Sequence, residues 1–299
     1  MDEQGQQSAG VQPLWRRIVD FPLVAMLISV ALFLAALAAG ILIGKMLPPM
    51  PDLPALAVRA IIDIGLILAV YKLAIRHLGE HPRDDLKLSG SGKSLGLGLI
   101  AGFALFSIVA GIAALVDVYN IVGRGDTSQL PTALIAMAIM PGFMEEMFFR
   151  GILLRWLEEF AGSWAALLIT SALFGGLHIL NPGASWFSSL AIALEAGILL
   201  GGAYLLTRSL WLPMGLHAAW NFTQGFVFDV PVSGVDQHGL VQARLSGPEL
   251  LSGGAFGLEA SIIAMVVATG AGLWLVVRAW QRGQLIQPWW VRRRMAGTR

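Results

Sequence analysis

Residues 21–47 read FPLVAMLISVALFLAALAAGILIGKML, an apolar stretch whose one charged residue stands near its end. A run of about 20 apolar residues is long enough to cross a lipid bilayer as an α-helix. The run does not alternate strictly between apolar and polar residues, as a membrane-spanning barrel strand would. Residues 21–47 therefore predict a transmembrane helix.

Seven further apolar runs follow, so the chain contains eight in all. They lie at about 55–75, 94–116, from 131 onward, 163–180, 187–207, 210–228 and 258–280. The composition agrees, because 56% of the 299 residues are hydrophobic and 13% are charged, whereas soluble domains carry about 25% charged residues. We predict an all-α, polytopic transmembrane helical bundle of about eight spans.

Five regions follow from these boundaries. They are a polar N-terminal tail (1–20), three helices with their loops (21–130), a core with polar motifs (131–228), an outer loop (229–257), and the last helix with a basic tail (258–299). We expect residues 1–12 to be disordered and the Gly- and Ser-rich outer loop to be mobile. The first apolar run is too long for the core of a cleavable signal, so none is expected.

The positions of the basic residues predict the orientation. With eight spans and a cytoplasmic N-terminus, fifteen of the 20 Lys and Arg residues fall on the cytoplasmic side and four on the outer side, with Arg150 inside the membrane. Cytoplasmic loops carry such an excess of positive charge. Both termini are therefore predicted to be cytoplasmic, and Trp289 and Trp290 beside three arginines are expected at the lipid interface.

Several classes of protein are excluded or disfavoured by composition. The absence of cysteine excludes disulfides, thiol catalysis and iron–sulfur clusters. A net charge of +1 offers no basic surface for nucleic acid. We expect a multi-pass protein of the cell (cytoplasmic or inner) membrane, or of the endoplasmic reticulum membrane in a eukaryote, whose surroundings are the lipid bilayer.

Polar residues inside the apolar runs are the candidates for function, because burying them in lipid is costly. They are Asp63, Glu145, Glu146, Arg150, His178, Glu195, His217 and Asn221. Glu259 lies at the edge of the last run and is left out of this set. Asp63 follows Arg59 by four residues, which predicts an ion pair on one helix face. Glu195 is a candidate for a cavity wall or for a polar contact between helices.

Six of these residues fall in three short motifs with helical spacing. The motifs are Glu145-Glu146-x-x-x-Arg150, Phe174-x-x-x-His178 and His217-x-x-x-Asn221. Residues four apart share a helix face, so Glu146 and Arg150 can pair. Glu145 is turned by about 100° from Glu146, and we expect it to face a cavity. Pro141-Gly142 predicts a kink or a helix start just before the two carboxylates.

The three motifs, in this order on separate apolar helices, resemble the CPBP family of intramembrane proteases. That family includes the type II CAAX prenyl endopeptidase and relatives linked to bacteriocin immunity and lysostaphin resistance. The resemblance covers about residues 131–225 and includes every motif residue, and the eight-helix layout fits the whole chain. It implies a catalytic core at 131–228 and a membrane-anchored or lipidated peptide substrate, such as a prenylated CAAX peptide.

Peptide hydrolysis needs an activated water, a stabilised oxyanion and a proton for the leaving amine. Ser171 and Ser188 have no evident base beside them, so carboxylates and imidazoles are the available groups. We predict that Glu145 is the general base and that His178 orients the same water and assists proton transfer.

The remaining motif residues are assigned supporting parts in the same reaction. We predict that His217 and Asn221 donate hydrogen bonds to the oxyanion and that Glu146 with Arg150 braces the site. Phe174 shares a helix face with His178 and is a candidate for the cavity wall. The family resemblance implies that these same positions form the catalytic set.

A metal centre is an alternative interpretation of the same residues. Glu145, His178 and His217 could form a zinc site with two histidines and one glutamate. However, the His-Glu-x-x-His helix of many zinc proteases is absent, and Asn221 is better suited to donate to an oxyanion than to bind zinc. We predict no obligatory cofactor, with zinc as the alternative.

Two non-enzymatic interpretations use the same residues. A transporter could use the acidic and histidine groups as a proton relay, although the sequence shows no inverted repeat. A non-proteolytic immunity or scaffold protein would tolerate the loss of Glu145 and His178. The intact motifs favour the endopeptidase.

Overall fold

A computed structural model describes residues 13–297 of the chain as a bundle of eight long helices. We number them in chain order and include their short 3₁₀- and π-helical stretches. They are α1 (Pro22–Met46), α2 (Asp52–His77), α3 (Ser91–Leu115), α4 (Thr127–Ala161), α5 (Ser163–Leu180), α6 (Trp186–Thr207), α7 (211–227) and α8 (Ile262–Gln281). Each predicted apolar run corresponds to one of these helices, which confirms the all-α polytopic fold.

Seven of the eight helices are long and apolar enough to cross a membrane, judged by length and composition. The exception is α7, with 12 α-helical residues followed by 5 π-helical ones. It nevertheless runs from one end of the bundle to the other. Before α7, the N–H of Leu210 donates to the carbonyl of Asp85 at 2.9 Å, and after it, Tyr119 Oη donates to the carbonyl of Phe228 at 3.0 Å. Since Asp85 precedes α3 and Tyr119 follows it, α7 lies parallel to α3.

Both ends of the described chain lie at the same end of the bundle. The ring of Phe21, before α1, contacts the ring of Trp289, after α8, with centroids 5.7 Å apart. Arg293 forms an ion pair of 2.5 Å with Glu80 in the loop between α2 and α3. This arrangement requires an even number of passes and agrees with the predicted eight.

The described end of the N-terminal tail is helical. Its last residues form a short helix, Leu14–Val19, with Leu14, Trp15 and Ile18 exposed. The expectation for residues 1–12 lies outside the described part of the chain. A second short helix, Trp289–Gly297, follows α8. Exposed apolar and basic side chains on both short helices suit a lipid–water interface.

The outer loop, which was expected to be mobile, contains regular structure. Its strand β2 (Val241–Leu245) pairs antiparallel with β1 (Tyr119–Arg124), and a short helix, Glu249–Ser252, follows. Asp229 Oδ2 accepts a hydrogen bond from the N–H of Ala243 at 2.8 Å and anchors the loop next to the end of α7. The strand Val241–Leu245 reads VQARL, and this alternation of apolar and polar residues is the sequence signal that the high Gly and Ser content of the loop obscured.

An ion cluster fixes the loop between α2 and α3 at the other end of the bundle. Lys72 Nζ donates to Asp84 Oδ2 at 2.6 Å and to the carbonyl of Leu86 at 2.8 Å. Burial alone would raise the pKa of Asp84, but hydrogen bonds from Lys72 and from the N–H of Leu86, with the charge of Lys72, hold it below its usual value. The loop leads directly into α3, so the cluster helps to position that helix.

Glycines allow α3 and α7 to pack at very close range. A Cβ atom added at Gly98 would lie 2.3 Å from the carbonyl oxygen of Leu212, and one at Gly102 would lie 2.3 Å from that of Leu216. Small residues permit this close approach between transmembrane helices. The contact matters for the site because α7 carries the third motif.

The predicted pair on α2 is also confirmed. Arg59 Nε donates to Asp63 Oδ2 at 2.5 Å, and Asp63 is buried against α1. A Cβ atom at Gly40 of α1 would lie 2.1 Å from Asp63 Oδ1, so the glycine makes room for this carboxylate. The pair therefore belongs to the packing of α1 on α2.

Candidate active site

Glu146 is the point at which the first and third motifs meet. Its carboxylate is fully buried, and its Oε1 accepts hydrogen bonds from Arg150 Nη1 at 2.8 Å and from His217 Nδ1 at 2.9 Å. The first contact is the pair predicted on one face of α4. The second joins α4 to α7 and fixes the orientation of the His217 ring. Because Nδ1 donates to a carboxylate, Nε2 is the ring nitrogen left for other partners.

Arg150 carries the connection onward to α6. Its Nη2 donates to the carbonyl oxygens of Ala196 and Gly197, at 3.0 and 3.4 Å. Ala196 and Gly197 belong to the π-helical stretch Ala193–Gly197. Arg150 is 2% exposed, and the carboxylate and the two carbonyls together offset the cost of burying its charge.

Phe174 links the second motif to both of the others. The Arg150 guanidinium lies 4.7 Å from the centroid of its ring, and the His178 and His217 rings lie 4.8 and 6.2 Å from it. A cation over an aromatic face is attracted by the ring quadrupole. Phe174 therefore contacts Arg150 of the first motif, His178 of its own motif and His217 of the third, and it packs α5 against α4 and α7.

The hydrogen bond of His178 defines its tautomer. Its Nδ1 lies 2.7 Å from the carbonyl oxygen of Phe174. A carbonyl oxygen can only accept, so Nδ1 carries the hydrogen and Nε2 of the neutral ring has a free lone pair. The ring is partly exposed, which leaves that nitrogen able to bind a water or a proton.

Glu145 lies beside this network without joining it. It is close enough to His217 and Arg150 to interact electrostatically with both, and its Oε2 is buried without a hydrogen-bond partner. Glu146 is held by Arg150, as predicted. A buried oxygen that lacks a donor is a costly feature, and a water or a substrate N–H would remove that cost.

The helix that carries both carboxylates is continuous where a kink or start was predicted. Pro141 has no N–H to donate, and the π-helical stretch Leu134–Ile139 lies directly before its turn. A second π-helical stretch, Met147–Leu154, contains Arg150. Widened turns of this kind take up an irregular hydrogen-bond ladder without breaking the helix.

A cavity lies between α5, α6, α7 and the start of α8. Its wall includes the ring of Phe174 and the polar side chains of His178, Glu195, His217, Asn221, Ser233 and Glu259. The two predicted cavity candidates, Phe174 and Glu195, are both present. Glu145, which was expected to face a cavity, is not among its lining residues, and neither are Ser171 and Ser188. The cavity thus joins the second and third motifs.

Sequence reasoning missed the contribution of Glu259. It stands just before α8, is 3% exposed, and accepts a hydrogen bond from the N–H of Ser233. The loop after α7 folds back to make this contact, which the N–H of Gly234 supports by donating to the carbonyl of Phe256 at 3.0 Å. The signal that the sequence offered for Glu259 was its position as a carboxylate at the edge of the last apolar run.

The residues do not form the alternative metal site. Across residues 13–297, no three His, Asp or Glu side chains lie close enough together to hold one metal ion. The set of Glu145, His178 and His217 is therefore not assembled in this geometry.

Comparison with known proteins agrees with the geometry. Residues 127–223, which contain all three motifs, match the family described as type II CAAX prenyl endopeptidase Rce1-like. A protein of Bacillus subtilis (strain 168), described as "Putative membrane peptidase YdiL", is 27% identical over 176 residues, which cover 54% of this chain and 68% of that protein. No solved structure matches the chain.

The matched region is the part of the bundle that holds the site. Helices α4 to α7 lie almost entirely within it, and they supply all of the residues around Glu146 and Phe174 described above. The chain is a polytopic membrane protein, and over residues 127–223 it is similar to the type II CAAX prenyl endopeptidase Rce1-like family.

Proposed function

We propose that this protein is an intramembrane endopeptidase that hydrolyses a peptide bond of a membrane-anchored substrate. The observation that carries the proposal is the hydrogen bond between Glu146 and His217, which joins two motifs that are 71 residues apart in sequence. Phe174 adds the third motif to the same cluster. A network that converges on a cavity in this way is what a water-activating site requires.

The first step is attack of a water molecule on the carbonyl carbon of the scissile bond. Glu145 accepts a proton from that water, and the free Nε2 of His178 orients it. The unpaired Oε2 of Glu145 and the defined tautomer of His178 support these roles.

The negative charge that develops on the carbonyl oxygen is stabilised by donors on α7. Asn221 donates from its side-chain amide and His217 from Nε2. Because the Nδ1 of His217 already donates to Glu146, a second donation from Nε2 requires the imidazolium form. The carboxylates of Glu146 and Glu145 balance that positive charge. Donors held in place before the reaction are worth most in a site without bulk water.

Collapse of the tetrahedral intermediate breaks the C–N bond. The proton taken from the water passes to the leaving nitrogen, so the products are a carboxylic acid and an amine. Arg150 does not contact the reacting atoms in this scheme. It is a positioning residue that holds Glu146, and through it the His217 ring.

The substrate class is proposed from the family and the setting. A peptide anchored by lipid or by its own apolar segment would reach a cavity enclosed by transmembrane helices, and a prenylated CAAX peptide is one such substrate. We place the protein in the cell membrane, or in the endoplasmic reticulum membrane if its source is a eukaryote.

The test is a comparison of membrane proteomes from cells that express the native protein, Glu145→Gln or Glu249→Gln. Glu249 is exposed in the outer loop and serves as the matched control. We expect uncleaved precursors to accumulate with Glu145→Gln and not with the control. Identical membrane proteomes in all three would contradict the proposal.

Metal dependence has a separate test. We expect purified protein to contain less than stoichiometric zinc and to retain its cleavage activity after chelator treatment. Stoichiometric zinc whose removal abolishes activity, and whose return restores it, would replace this mechanism with a metal-dependent one.

A further inference from the structure

The cavity has an acidic part that the proposed chemistry does not use. Glu195 on α6 and Glu259 before α8 both line it, together with His178, His217 and Asn221. The two carboxylates are close enough to interact electrostatically with each other. They come from elements 64 residues apart in the chain, so the fold brings them together next to the predicted oxyanion donors.

Glu195 is buried and unpartnered. It is 1% exposed, its Oε2 has no hydrogen-bond partner, and it forms no ion pair with any residue in the range 13–297. Its helix cannot easily turn away, because a Cβ atom at Gly197 would lie 2.6 Å from the Cβ of Ser171 and one at Gly272 would lie 2.7 Å from the N of Leu199. Close packing on both sides holds the carboxylate in the cavity wall.

No lysine or arginine among residues 13–297 forms an ion pair with either carboxylate. Arg150 is occupied by Glu146 and by the carbonyls of α6. Glu259 accepts a hydrogen bond from the N–H of Ser233 and interacts with the Gln224 side chain and with His217, whereas Glu195 Oε2 has no such partner. A buried carboxylate is stable only when it is paired, hydrogen-bonded or protonated. A ligand that brings both positive charge and N–H donors would satisfy these oxygens.

We propose that Glu195 and Glu259 bind a primary ammonium group of the substrate, carried by a lysine side chain near the scissile bond. An ammonium is a compact charge with three donors, which suits two carboxylates from different elements better than the planar fork of a guanidinium. The inference rests on the proposed function, since it names a feature of the substrate of that same site.

The test measures binding, so that it does not depend on turnover. Protein with Glu145→Gln is placed in lipid nanodiscs and titrated with fluorescent transmembrane peptides. The peptides carry lysine, acetyl-lysine or norleucine in turn at each position of the segment that enters the bilayer. Acetyl-lysine keeps the length of lysine and removes its charge. The same titrations are made with two double variants, Glu145→Gln with Glu195→Gln and, as the control, Glu145→Gln with Glu249→Gln.

We expect a lysine at one or two positions to tighten binding at least about tenfold over norleucine, because a buried ion pair is lost in the neutral peptide. Glu195→Gln is expected to abolish this ratio, and Glu249→Gln to leave it intact. The ratio is measured within one protein preparation, so partial unfolding does not alter it.

The outcomes separate this inference from the proposed function. Equal affinity for lysine and norleucine peptides at every position, or a lysine preference that survives Glu195→Gln, would overturn the inference even if the native protein cleaves peptides. A lysine preference that depends on Glu195 would support it, even if the native protein cleaved none of them and the endopeptidase proposal failed.

Discussion

Replacement of Glu146 by glutamine is the most informative perturbation of the bundle core. The glutamine has nearly the same shape but removes the negative charge and turns one oxygen into an N–H₂ donor. Arg150 then keeps its positive charge, at 2% exposure, without the carboxylate to which it is hydrogen-bonded. His217 loses the carboxylate that orients its Nδ1.

The magnitude follows from the geometry of the pair. Two unit charges at the observed separation of 2.8 Å attract by about 6 kcal/mol at an effective dielectric constant of about 20. Desolvation of both groups offsets part of this attraction. Removing one partner of such a buried pair costs about 3–5 kcal/mol, because the other charge is left unpaired. We expect Glu146→Gln to lower the free energy of unfolding by that amount.

The assay is reversible unfolding of the purified protein in mixed micelles, with Glu249→Gln as the control that changes stability by less than about 0.5 kcal/mol. The double variant Glu146→Gln with Arg150→Gln should cost less than the sum of the two single variants by at least about 2 kcal/mol. A loss below about 1 kcal/mol for Glu146→Gln, or strict additivity in the double variant, would refute the ion pair as the centre of this network.

Two further predictions concern the elements that position the site. Gly102→Ala should lower the free energy of unfolding by about 1–3 kcal/mol through overpacking and reduce cleavage, because its Cβ would lie 2.3 Å from the Leu216 carbonyl oxygen. The control, Gly111→Ala on the same helix, places a Cβ with nothing within 4 Å and should not destabilise the protein. Equal melting temperatures for the two variants would contradict this contact. The lowered pKa of Asp84 means that its contribution to stability is fully present above its unfolded value near 3.8 and is lost as the pH falls below that value. Asp84→Asn should therefore lower the melting temperature at pH 6 and lower it by less near pH 3, and a deficit that persists unchanged at pH 3 would show that charge is not the cause.

The sequence predicted those features that depend on neighbouring residues. The apolar runs gave each helix to within a few residues, since hydropathy alone decides which segments lipid can surround. The spacing of four residues predicted the ion pair of Glu146 with Arg150 and that of Asp63 with Arg59. Both are contacts within one helix, so their distances follow from helical geometry.

Contacts between distant segments were not predictable in the same way. Glu259 lies in the cavity because the loop after α7 folds back to Ser233, and no local pattern encodes that fold. The pairing of β1 with β2 joins segments separated by four long helices, α4 to α7. The partner of His217 could have been any of several carboxylates, and helix packing selects Glu146.

The central claim is that the three motifs form one hydrolytic site, and a reconstituted cleavage assay tests it most directly. The native protein, Glu145→Gln and Glu249→Gln are each placed in liposomes with a library of transmembrane and prenylated peptides, and new peptide termini are identified by mass spectrometry. The predicted result is specific cleavage by the native protein and by Glu249→Gln, with a loss of at least about a hundredfold for Glu145→Gln, as expected for removal of a general base. Cleavage by Glu145→Gln at the native rate would contradict the claim.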